Sequence, residues 1–319
     1  MKINQEFKEQ SSTPRTYYKG LGTATVLAVN PTAEELEKLT GFKPQTEPEY
    51  ISSVQTKNLK GEDVEAKQIN MTLLLQPEGE NMPILRLNYR INNAPFVGKS
   101  NNVELIDIYN NTVWLPIEEA AKVDMTKNQV FTIAKKDGSG SFTARMFAPI
   151  RYSFKGEIQF NHFIKEYNQT KDIKEWDNNS QSFVLRKNLD DSYEVAFSKD
   201  EWTALFKKPE DNSIIQILKS LIESKDSKGN PRKIKFIVGV KVTEDGKIYN
   251  QVIGVTGAHR KGFAKYELNQ IINNNQNIDF LTNGNLEPIA PWVNIPTDAT
   301  TVSEMVNSTD DKDDENAPF

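Results

Sequence analysis

Three segments of this chain interleave cations with aromatic rings. The first is Arg145-Met146-Phe147-Ala148-Pro149-Ile150-Arg151-Tyr152-Ser153-Phe154-Lys155. The second, His259-Arg260-Lys261-Gly262-Phe263-Ala264-Lys265-Tyr266, puts three permanent charges and two aromatics into eight residues. The third is Arg86-Leu87-Asn88-Tyr89-Arg90. A flat ring stacks on a base at about 1–3 kcal/mol per base, and a neighbouring cation holds a phosphate, so this is the composition of a surface for single-stranded nucleic acid. Residues two apart share a face of a strand, which would group Arg145 with Phe147, Tyr152 with Phe154, and Arg86 with Asn88 and Arg90 opposite Leu87 and Tyr89. The second segment carries the strongest signal, because Arg260, Lys261 and Lys265 meet no acid before Glu267. A fourth basic run, Arg232, Lys233 and Lys235, would flank the same groove or face solvent on an edge strand. The alternative for each segment is a packed core, in which Phe147 and Phe154 are buried and the cations snorkel to water.

Catalytic chemistry finds little material. The chain has two histidines, His162 and His259, and no cysteine. Two isolated imidazoles do not build a His/Cys zinc site. Gly20-Leu21-Gly22-Thr23-Ala24-Thr25 lacks the third glycine of a dinucleotide fingerprint and precedes a strand, and no phosphate-binding Gly-x-x-x-x-Gly-Lys-Ser/Thr loop is present. Asp124, Asp190 and Asp191 leave open a nuclease that holds Mg²⁺ by carboxylates alone. No catalytic residue, cofactor or metal site is expected.

The elements that would position these segments are mostly strands. Leu21–Val29 reads as a buried strand, and Thr32 caps a short helix over Ala33–Leu39 that ends at Gly41. Strands are expected at Tyr50–Gln55, Ala66–Leu75, Ile84–Ile91, Thr112–Ile117, Val130–Lys135 and Phe142–Phe147, the last two joined as a hairpin by a Gly-rich tip. Glu157–Tyr167 reads as a helix with an apolar stripe. Phe183–Leu185 and Tyr193–Phe197 read as a hairpin turning at Asn188–Asp191. Ser198 and Glu201 form a capping box for a helix through Phe206, and Ser213–Ser224 is strongly amphipathic. A second hairpin, Ile234–Val242 with Ile248–Val255, turns at Glu244-Asp245-Gly246, and a short helix covers Leu268–Ile272. The pattern is mainly β (α+β), as in an elaborated barrel with peripheral helices. Residues 1–19 read as a flexible arm, 20–287 as the body, with 156–287 either a second subdomain or insertions, 288–297 as a Pro-rich linker and 298–319 as a disordered tail.

Charge is unevenly spread over the 319 residues. The chain carries −5, and Asp298, Glu304, Asp310, Asp311, Asp313, Asp314 and Glu315 against Lys312 place −6 in residues 298–319, leaving +1 for 1–297. The chain stops on Asn316-Ala317-Pro318-Phe319. A run of acids cannot build a core, and a terminal aromatic with a free carboxylate is a hydrophobic hook with a negative tip. The absence of cysteine and of an apolar leader fits a cytoplasmic protein (host cytoplasm if viral), and no apolar run approaches the ~20 residues of a membrane span.

This tail resembles that of bacterial and phage single-stranded-DNA-binding proteins, which end in acids followed by Pro-Phe or a terminal Phe. The likeness covers about ten residues of 319. Ala317 stands where the bacterial tails carry a larger apolar residue, and the body is longer than one minimal barrel. The resemblance implies an oligonucleotide-binding barrel and sequence-independent binding of single-stranded DNA during replication, repair and recombination. It further implies that Pro318 and Phe319 recruit replication and repair proteins, with Asp313, Asp314 and Glu315 as an anionic collar that competes with DNA. No membrane partner is expected, and self-association is left open. The competing reading is a non-enzymatic structural or scaffold protein, virion-associated or otherwise, whose acidic tail keeps it soluble.

Overall fold

The computed structural model describes residues 16–98, 100–134, 138–168, 174–177, 182–185, 197–209, 211–225 and 229–292, with only the backbone path for 174–177 and 182–185. The expected tail, with Asp313, Asp314, Glu315, Pro318 and Phe319, lies outside the described residues, as does most of the expected arm.

β1 (Tyr18–Val29) is a long strand with glycines where neighbours press in. A Cβ on Gly22 would stand 2.6 Å from the Phe236 ring, so only glycine lets that ring lie across the strand. Helix α1 (Ala33–Thr40) follows. Its Thr32 hydroxyl accepts from the Glu35 N–H at 3.1 Å, Glu35 Oε2 accepts from the Thr32 N–H at 2.8 Å, and Gly41 closes it at φ +72°. β2 (Ile51–Lys57), β3 (Asp63–Pro77) and β4 (Leu85–Asn92) form an antiparallel meander. β5 (Asn102–Ile106), β6 (Thr112–Pro116), a short helix α2 (Ile117–Ala120), β7 (Gln129–Ala134), β8 (Ser141–Met146) and β9 (Arg151–Tyr152) follow. Next come α3 (Glu157–Asn168), β10 (Lys174–Asp177), β11 (Ser182–Leu185), α4 (Lys199–Leu205) and α5 (Ser213–Glu223). β12 (Lys233–Val242), β13 (Ile248–Gly257), α6 (Lys265–Asn274), β14 (Ile278–Asp279) and β15 (Ala290–Pro291) end the described chain.

The main sheet is antiparallel, with β13, β12, β1 and β3 side by side and β4 on the far edge of β3. The order β12-β1-β3-β4 resembles a Greek key: β1, β3 and β4 lie side by side, with β2 intervening in the chain between β1 and β3, and β12 returns over a long connection to lie beside β1. β1 serves two neighbours in turn, Gly20–Thr25 with β12 and Ala24–Val29 with β3, through a register shift between Val26 and Ala28. The sheet curls until its edge strands β4 and β13 come within 8 Å between Cα atoms, yet they do not pair. Among the described residues the sheet is therefore open, and the expected barrel is not closed.

The concave side holds the main core. Val26, Ile69, Met71, Leu73, Leu87, Phe236 and Val238 meet Phe160, Phe163 and Tyr167 of α3, Trp202 of α4 and Leu218 of α5. α3 starts against β4 because a Cβ on Gly156 (φ +87°) would come within 2.0 Å of the Arg90 carbonyl. Residues 95–152 form a small β unit with its own core of Val103, Leu105, Val113, Leu115, Met146 and Ile150. A third cluster, Ile237, Ile278 and Phe280 with Phe263, Leu268 and Ile271, covers the convex side of β12 with the C-terminal segment.

Several expectations change. Tyr18 and Lys19, expected in the arm, belong to β1, and Pro288–Pro291, expected in the linker, run along Leu21–Tyr18. Strand Phe183–Leu185 pairs with Lys174–Trp176 upstream, and the expected partner lies largely outside the described residues. The three-stranded sheet β6-β5-β9 was not foreseen.

Candidate nucleic-acid interface

β4 alternates as the sequence suggested. Leu85, Leu87 and Ile91 are buried, while Arg86 is half-buried and Asn88 and Arg90 are exposed on the convex face. Their partners on β3 are Leu74, Thr72 and Asn70. The Thr72 hydroxyl donates to Asn88 Oδ1 at 2.8 Å, so the face is polar and ordered between its two arginines. Burial pulls the Arg86 guanidinium below its usual pKa and the nearby Tyr50 oxygen pulls it back. Tyr89 turns the other way. Its ring packs on Phe160 at 5.6 Å and Phe163 at 5.7 Å, and burial pushes its hydroxyl well above the usual range. Tyr89 is thus a core residue and offers no face to a base.

The segment 145–155 is largely structural. Arg151 forks onto Glu157, with 2.9 Å and 2.5 Å contacts, and also donates to the Phe197 carbonyl. Its side chain is 15% exposed and that of Glu157 is 0% exposed. Every direction of this guanidinium is committed inside the protein, which removes Arg151 as a phosphate ligand. Phe154 is 7% exposed and packs on Trp202 and Phe206. Tyr152 packs against the core of the small β unit. Phe147 falls after β8, edge-on to Tyr109 at 5.4 Å, with its N–H donating to Asp107 Oδ2 at 2.9 Å. Of the segment's residues, Arg145, Pro149 and Lys155 are exposed.

Segment 257–267 is tied down by acids distant in sequence or one turn ahead. Glu166 of α3 accepts from the Gly257 N–H at 2.6 Å. Arg260 forks onto Glu267 at 3.0 and 2.8 Å and lies 3.6 Å from Glu166. These bonds, led by Glu267, hold the guanidinium above its usual pKa. The expectation that Arg260 stands clear of acids is therefore corrected. Phe263 is packed in the third cluster and is no stacking platform. Lys261 and Lys265 are exposed. In the fourth run, Arg232 bonds Ser224 Oγ at 2.5 Å and the Asn168 carbonyl at 2.9 Å. Lys233 pairs with Glu78 at 2.5 Å, and Lys235 donates to the Arg260 carbonyl.

Of the rings that solvent does reach, the sequence segments contained Tyr266 but neither Phe142 nor Tyr249. Phe142 is 50% exposed, Tyr249 39% and Tyr266 66%. Tyr249 stands across the β12–β13 ladder from Lys241, beside the turn that holds Lys247. Tyr266 follows Lys265 at the start of α6. The signal for Tyr249 was present as Lys241, Lys247 and Tyr249 around Glu244-Asp245-Gly246, a stretch read only as a turn.

No group of three His, Cys, Asp or Glu side chains among the described residues could hold a metal ion. No helix among them is long and apolar enough to cross a membrane. A scan against protein-family models, a search of curated proteins and a search of solved structures all return no match to this chain.

Proposed function

We propose that this chain binds single-stranded DNA without regard to sequence, covering it during replication, repair and recombination. The observation that carries the reading is the exposed convex face of β3–β4, with Arg86, Asn88 and Arg90 set beside Asn70 and Thr72. Its setting supports the same reading. Five strands in chain order, β1, β3, β4, β12 and β13, curl into an open Greek-key arrangement, and oligonucleotide-binding folds are partly open five-stranded Greek-key barrels. Such folds bind on the face of their second and third strands and on the loop between the fourth and fifth. On this reading the corresponding places are the β3–β4 face and the β12–β13 hairpin, where Lys241 stands across the ladder from Tyr249 and Lys247 pairs with Asp245. The tail then acts as the sequence implies: Pro318 and Phe319 engage replication and repair proteins, and Asp313, Asp314 and Glu315 compete with DNA for the cations.

The test is fluorescence anisotropy of labelled oligo-dT and a matched duplex at low and moderate salt, with the full chain and a version ending at Thr297. Preference for the single strand, weakening with salt, is expected, and it should strengthen when the polyanionic tail is removed. Absence of binding by both versions refutes the reading and leaves a scaffold protein with a solubilising tail.

A further inference from the structure

The hairpin β7–β8 stands apart from the face just described. It is a two-stranded sheet whose outer edges pair with nothing among the described residues. Its foot is anchored in the small β unit. Along β8, Met146 is buried in the core of the small β unit, Ala144 is half-buried and Phe142 is 50% exposed. Phe131 and Ile133 across the ladder pack on that core, so the row emerges from it like a finger with an aromatic near the end. The opposite face carries Thr132 with Thr143 and Val130 with Arg145, all exposed. Residues 121–146 hold five cations, Lys122, Lys127, Lys135, Lys136 and Arg145, against Asp124 and Asp137, in a chain whose net charge is −5.

We propose that β7–β8 is a second contact for single-stranded nucleic acid, with Phe142 on one face stacking on a base and Arg145 on the other meeting a phosphate where the strand rounds the outer edge of β8. This rests on the function proposed above. An exposed apolar ring on a ribbon that also exposes Arg145 suits a ligand that is both a polyanion and a set of flat bases. The two strands also bring no competing carboxylate: residues 129–134 and 141–146 contain no Asp or Glu. The consequence is that a long strand touches two separate elements, while a short one fills only the β3–β4 face.

The experiment compares the full chain with Phe142→Ala and Phe142→Tyr, titrating labelled oligo-dT of stepped lengths by anisotropy and following self-association by sedimentation. The expected result is that Phe142→Ala weakens binding about tenfold on long oligonucleotides, the order expected for one lost stack, and leaves short ones unchanged. Phe142→Tyr, which keeps a ring, should bind like the original chain. If the original chain binds and Phe142→Ala binds long strands equally well, this inference fails while the β3–β4 reading stands. If Phe142→Ala instead lowers the oligomeric state with DNA affinity unchanged, the ring joins copies of the protein and the inference is overturned. Absence of binding by the original chain removes both.

Discussion

Replacing Arg86 and Arg90 with Gln tests the β3–β4 face through its salt dependence. Both side chains lie on the convex face, Arg90 exposed and Arg86 half-buried next to Tyr50. If each neutralises one phosphate, each contributes about 0.7 to the slope of log affinity against log salt on a single strand. The double variant should therefore bind with a slope shallower by about 1.4. At 0.1 M salt the same term gives an affinity loss of about 25-fold, shrinking to about 4-fold at 0.4 M. Arg90→Gln alone should give half the slope change, about 0.7, and serves as the cleaner variant because it disturbs no packing. The assay is oligo-dT anisotropy between 0.05 and 0.4 M NaCl, with thermal melts to show that each variant is folded (concentrations being about those used to resolve such slopes). An unchanged slope refutes the argument that these arginines meet phosphates. So does a loss of affinity that is the same at every salt concentration.

Two further predictions concern what holds the face in place. Glu104 is buried in β5, where burial pushes its carboxyl up to about 7 and the Ser153 hydroxyl, donating to its Oε2 at 2.7 Å, partly offsets this. The folded chain thus keeps a proton that the unfolded chain loses above about 4.5, so stability should fall as pH rises from 4.5 to 7, by at most about 3 kcal/mol. Glu104→Gln should flatten that slope, read from urea midpoints at pH 5 and pH 8, and an identical slope in the variant would assign the effect elsewhere. Arg151→Met strands the buried Glu157 carboxylate and should cost about 3–5 kcal/mol in denaturant unfolding. Under folding conditions it should leave the salt slope of DNA binding unchanged, and a shallower slope would return Arg151 to the interface.

Much of the fold was legible because local signals and tertiary packing agree. Thr32, Glu35 and Gly41 bracket α1 by capping chemistry that operates within one turn. The β12–β13 and β7–β8 hairpins announce themselves by alternating residues around Gly-containing turns. β5 did not, because Glu104 breaks its apolar run, and nothing local says that this carboxyl is buried against Ser153, 49 residues away. The pairing of β11 with charged Lys174–Asp177 escaped for the same reason: strand register there is set by partners, not by hydrophobic pattern. The order β13-β12-β1-β3-β4 is also invisible locally, since β4 and β12 are separated by some 140 residues of chain.

The site was legible in its charges and illegible in its rings, and the asymmetry has a physical cause. A strand face that alternates Arg86, Asn88 and Arg90 with Leu87 and Tyr89 must put one set in water, and the cations are the cheaper set to hydrate. The rule fails where a partner from far along the chain neutralises the cation. Glu157 does this for Arg151, and Glu166 with Glu267 does it for Arg260. Aromatics carry the opposite bias. A ring buries so much apolar area that Tyr89, Phe154 and Phe263 go to the cores even when cations flank them in sequence. A ring left outside is therefore more informative than a ring beside an arginine. Tyr249 and Tyr266 each keep a lysine across the ladder or next in chain, and Phe142 lies on a two-stranded ribbon that also exposes Arg145. Neighbourhood in sequence is what suggests a nucleic-acid ligand. Which rings are free to meet it depends on which ones the cores had no room to take, and that is decided by the assembled sheets.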